Sequence, residues 1–127
     1  MKREDVEKLE KIIGQMEGLH AEIGTLAKKS PNDGLNKFKL KFVNTSLGQA
    51  NVLLGNEYKP FDEFDKFDED DVPSNSDVTM IIAQYLEAIE RFRADHIKTN
   101  PGGYWIYRLD EGEGTIRTTI PKKLRNK

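Results

Sequence analysis

The chain has 127 residues, of which 33% are charged and 36% hydrophobic, with a formal net charge of -2 at pH 7; that fits one ordinary domain built on one core. So small a net charge points neither to a general nucleic-acid binder nor to a strongly acidic decoy. The lack of any cysteine excludes disulfides, thiolate metal sites and cysteine nucleophiles together. No apolar run follows Met1-Lys2-Arg3-Glu4-Asp5, and none approaches the ~20 apolar residues that span a bilayer. A secretory signal and a membrane span are therefore not expected, and a cytoplasmic location is.

Residues 2–29 read as one long helix. Val6, Leu9, Ile13, Met16, His20, Ile23 and Ala27 alternate three and four apart, a heptad seam that Ile12, Leu19 and Leu26 widen on one side. Gly14, Gly18 and Gly24 oppose it, because each glycine in a helix interior costs up to about 1 kcal/mol against alanine. Either another backbone approaches them closely, or the helix is kinked or shorter. A seam this long packs inside the chain or against a second copy, and the expectation is a dimer through this helix. Ser30-Pro31-Asn32-Asp33-Gly34 is a loop by composition. Beyond it, Phe38, Leu40 and Phe42 alternate with Lys37, Lys39 and Lys41 as in a strand. The wider window, with Leu35, Phe38, Phe42, Leu47, Ala50 and Leu54 near helical register, predicts a helix over 35–55 that Gly55-Asn56 stops.

The connection over 58–77 is the odd stretch. Between Asp62 and Asp71 lie seven acids against Lys66 alone, a local charge of -6. Phe61, Phe64 and Phe67 recur every third residue, so one helical or 3₁₀ turn aims the three rings one way and leaves Asp62, Asp65, Asp68, Asp70 and Asp71 toward water. Rings of this kind either pin a surface connection to the core or anchor a partner. The sequence lacks the alternating ligands, central glycine and closing glutamate of an EF-hand, so no metal is expected there.

A central helix is predicted over 77–97, capped by Ser76 or Asp77, with Val78, Ile81, Ile82, Tyr85, Leu86, Ile89 and Phe92 on one side. Asn100-Pro101-Gly102-Gly103 ends it. Residues 104–109 and 115–120 are rich in aromatic and β-branched side chains around a connection with two glycines, which predicts a β-hairpin over 104–120. Pro121 to Lys127 forms a basic tail. The whole is a mainly α domain (α+β), a three-helix bundle-like core with a C-terminal β-hairpin packed on it.

Catalytic signals are sparse. His20 and His96 lack a third ligand for zinc, no serine sits in a nucleophile elbow, and no glycine-rich loop precedes a helix to hold phosphate; no cofactor is expected. Arg91-Phe92-Arg93-Ala94-Asp95-His96 resembles the arginine, four residues, histidine motif of the HEPN ribonucleases. That resemblance implies a dimeric helical ribonuclease in which Arg91 steadies phosphate charge and His96 serves acid–base catalysis. Phe92 departs from it, standing where that family usually has a polar residue. Lys37, Lys39, Lys41 and the tail, with Tyr104, Trp105 and Tyr107 as stacking surfaces, are the ingredients of a nucleic-acid accessory protein. More of the chain fits a third function: a small non-enzymatic regulatory or interaction domain whose acidic, phenylalanine-bearing stretch takes a basic protein partner.

Overall fold

The computed structural model describes residues 1–122, so Lys123, Arg125 and Lys127 of the expected basic tail lie outside the described residues. Three helices carry the fold: α1 (Arg3–Lys29), α2 (Lys37–Tyr58) and α3 (Asn75–Asp95). The apolar periodicity predicts all three, and α1 and α3 bury the face that it marks, whereas α2 buries a partly different one. Val6, Leu9, Ile12, Met16 and Ile23 of α1 are buried in the chain's own core, with Ile13, Leu19 and Leu26 half-buried against it. The seam expected to pair two chains is thus covered by α3 and α2. Helix α3 packs on both of its neighbours, which also touch each other.

Gly14 and Gly18 do not mark a close approach. No atom lies within 4 Å of where a Cβ would stand at either position, and α1 runs through them unbroken. The end of α2 is less regular. Gly55 adopts φ 61° and ψ -170°, outside the helical region, and one further turn reaches Tyr58. The predicted stop at Gly55 is therefore a break inside the last turns.

The loop after α1 holds the start of α3. Pro31 and Asp33 carbonyls accept from the Ser76 and Asn75 backbone N–H groups at 3.0 and 2.8 Å, satisfying donors that a helix start leaves open. The cap is Ser74, whose hydroxyl accepts from the Asp77 N–H at 3.1 Å, and not Ser76 or Asp77; the helix begins two residues earlier than its apolar pattern suggests. Gly34 bridges Ser74, and a Cβ there would run into Val72.

The hairpin is shifted from its predicted position. Strand β1 (Ile97–Thr99) pairs antiparallel with β2 (Trp105–Tyr107), in register Ile97 with Tyr107. The Asn100–Gly103 cluster is the turn between them: the Asn100 N–H donates to Tyr104 O at 2.8 Å and the Gly103 N–H to Asn100 O at 2.9 Å. Residues 115–120, expected as the second strand, add a single bridge, Ile106 with Arg117, on the other side of β2. Ile97 continues the apolar spacing of α3, which hid the strand that begins there.

Arg93 fixes the last described segment. It is 4% exposed and all five of its N–H groups are used. Two meet the Glu90 carboxylate at 2.8 and 2.9 Å; the others reach Thr118 Oγ1 at 2.7 Å and the Thr119 and Ile120 carbonyls at 3.1 Å. The Lys122 N–H also donates to Glu90, at 2.9 Å. Burial pushes the Glu90 carboxyl up, but the Arg93 hydrogen bonds, the Lys122 N–H and both positive charges outweigh it and hold the group below its ordinary value.

Gly14→Ala and Gly18→Ala should each raise stability by about 0.5–1 kcal/mol in urea unfolding, since both sites are open and helical. Arg93→Ala should cost about 3 kcal/mol, because it strands a mostly buried carboxylate and two carbonyls. The folded Glu90 value lies below the unfolded one. The pair's contribution is therefore complete above the ordinary carboxylate range and lost as pH falls through the lowered folded value. An acid titration of thermal stability should lose that limb in Glu90→Gln.

Candidate functional site

After Tyr58 the chain turns and runs back along α2. Two asparagines of that helix, seven residues apart and so nearly in line after two turns, hold it by its backbone. Asn51 donates to Asp65 O at 2.9 Å. Asn44 makes a two-way pair with Phe67, donating to its carbonyl at 3.0 Å and accepting from its N–H at 2.9 Å. From α3, the Tyr85 hydroxyl donates to Asn51 Oδ1 at 2.6 Å, which orients that amide. Burial holds the Tyr85 phenol above its ordinary range; the Asn51 bond pulls it back and the Asp65 charge adds to the rise.

Phe61, Phe64 and Phe67 are half-buried and pack on the core, with Phe64 and Phe67 edge to face at 5.0 Å. They work as pins under the loop, and the backbone above them carries the acids outward. Asp62, Glu63, Asp65, Asp68, Glu69, Asp70 and Asp71 are all exposed. Asp68 accepts from the Asp70 N–H at 2.9 Å and so starts the short 3₁₀ turn Glu69–Asp71. Val72 closes that turn at φ 46°, a left-handed conformation that is costly for a β-branched residue. Two lysines reach this loop, Lys59 to Asp65 and Lys37 to Asp70, the second at 3.8 Å between exposed groups. A cleft of about 660 Å³ between Lys41, Thr45 and Asp68 to Asp70 runs along it.

The phenylalanines of α2 are placed the other way. Phe38 and Phe42, expected inside, are 72% and 49% exposed, and their rings meet edge to face at 5.0 Å. The buried face of α2 is the offset series Leu40, Val43, Leu47, Ala50 and Leu54.

The arginine and histidine of the ribonuclease-like motif part company. Arg91 is exposed and lines a cleft of about 700 Å³ with His20, Gln84 and Glu87. His96 stacks on Phe92 with ring centroids 4.2 Å apart, and its Nδ1 is 2.7 Å from Phe92 O. The nucleic-acid ingredients are also dispersed. Lys39 pairs with Glu22 at 2.8 Å, Lys37 faces an acid, Tyr107 is buried, and the Tyr104 ring is covered by Arg117 at 3.7 Å. Among the described residues no group of three or more His, Cys, Asp or Glu is arranged to hold a metal, and no helix is long and apolar enough to cross a membrane.

Sequence reasoning passed over Asn44 and Asn51. Their only local signal is the seven-residue spacing of two amides beside a buried stripe. Asn44→Ala should cost about 1–3 kcal/mol, as it removes both partners of the Phe67 peptide. Hydrogen exchange should then show the Phe67 amide opening faster while the α1 and α3 core amides keep their protection. No family model, no curated protein and no solved structure matches this chain.

Proposed function

We propose that this protein is a non-enzymatic, cytoplasmic interaction domain that regulates a protein partner through the acidic loop 61–71, and that the partner's contacting surface is basic. The observation that supports this most directly is the way the loop is held. Its backbone is fastened by Asn44 and Asn51 and pinned by Phe61, Phe64 and Phe67, so seven exposed carboxylates stand on a frame ordered before binding. Preordering lowers the entropy cost of association, and a single-sign cluster accelerates encounter with an opposite charge. In this assignment the phenylalanines act by shaping the loop, and Asp62, Asp65, Asp68, Asp70 and Asp71 make the contacts.

The test follows from that division of labour. A partner captured from lysate by the wild type, and released as salt rises, should be lost by Asp68→Asn/Asp70→Asn/Asp71→Asn at unchanged melting temperature. Capture that is indifferent to those three substitutions and to salt would overturn the proposal. Phe64→Ala, by contrast, should lower stability as well as capture, since its ring is part of the packing.

A further inference from the structure

The outer face of α2 carries a second seam. Phe38, Phe42, Thr45, Gln49 and Val52 follow at intervals of four, three, four and three, and at 100° per residue they fall within an arc of about 80°. All five are exposed, Val52 at 86%. The spacing is that of the a and d positions of a two-stranded coiled coil over about 21 Å, and among the described residues nothing covers it.

The two flanks of this seam differ in charge. On one side Asn44 and Asn51 hold the acidic loop against α2. On the other side Leu53 faces α1 across a groove of about 650 Å³, whose α1 wall includes Lys8 and Lys11 and whose α2 wall includes Gln49 and Val52. The neighbouring Asp5 carboxylate is engaged by the Lys2 N–H at 2.8 Å. Asp65 lies beside Asn51, at nearly the level along the helix where Lys8 and Lys11 stand opposite.

From this we infer that the chain forms a parallel dimer through α2, with a second copy of itself as the occupant of the exposed seam. A two-fold axis running along α2 sets the acidic flank of each copy across from the lysine flank of the other, so that Asp62 and Asp65, the latter also engaged by Lys59 of its own chain, come toward the second copy's Lys8 and Lys11. An antiparallel pairing sets acid on acid and lysine on lysine. Phe38, Phe42 and Val52 form the apolar layers, and Gln49 meets its own equivalent, an amide being both donor and acceptor. One polar seam position of this kind fixes register in coiled coils. Asp68, Asp70 and Asp71 stay open, so the two surfaces overlap at Asp62 and Asp65 alone, and the triple substitution of the other three acids reads partner binding separately from pairing.

Sedimentation equilibrium at micromolar concentration should give a dimer for the wild type, and monomers for Phe42→Asp and Val52→Asp with unchanged far-ultraviolet circular dichroism and a melting temperature that no longer depends on concentration. Since the chain has no cysteine, a single Gln49→Cys reports orientation: on oxidation it should give a covalent dimer in high yield. A wild-type monomer at high micromolar concentration would overturn the inference. So would a dimer that survives both aspartates. Crosslinking confined to mixtures of Phe38→Cys with Val52→Cys, and absent from Gln49→Cys alone, would overturn the parallel arrangement.

Discussion

The constraint on which this molecule depends is that α3 must cover two neighbours at once. A helix that packs on one partner needs a narrow apolar stripe; one that fills the angle between two needs a wider one, here about a third of its circumference. Val78, Ile81, Ile82, Tyr85, Ala88, Ile89 and Phe92 supply that width and are all buried. Because α1 and α2 both lean on α3, its N-terminus has to be fixed. The carbonyls of Pro31 and Asp33 and the hydroxyl of Ser74 do this at once with hydrogen bonds.

Outside the helices the order is polar in origin. The acidic loop and the segment after β2 have too few apolar residues to hold themselves by burial alone. Each is tied instead by side chains that bond to backbone: Asn44 and Asn51 for one, Arg93 for the other. Such ties sit in half-dry surroundings where an unmade bond is expensive, so each segment is held in one path.

How much of this the sequence discloses depends on whether the cause is local. The three helices are legible because burial imposes a 3.6-residue period on side chains that are neighbours in the chain. Strand β1 is not, since Ile97 keeps the spacing of α3 and the Asn100–Gly103 turn reads equally as a helix stop. Helix α2 carries two offset seams, one through Leu40 and Val43 and one through Phe38 and Phe42. Composition alone favours the aromatic one as core, and only the placement of α1 and α3 decides. The asparagine ties are invisible for a different reason: their partners are peptide groups 14 and 23 residues away, and a peptide group leaves no mark on side-chain pattern. Of the candidate site, then, the acids and their spacing are legible, whereas the frame beneath them is not.

The fastening of the loop through its peptide groups has a further consequence. Asn44 and Asn51 recognise the backbone at Phe67 and Asp65 without regard to the side chains that project from it. The outward positions whose side chains make no such tie, Asp62, Glu63 and Lys66, are thus interchangeable as far as folding is concerned, whereas Asp68 also caps the 3₁₀ turn. A scaffold built this way can exchange its outward-facing residues, and with them its choice of target, while the three helices remain untouched. The same architecture lets the outward positions of residues 62–67 carry a foreign recognition pattern between the fixed posts of Phe61, Phe64 and Phe67.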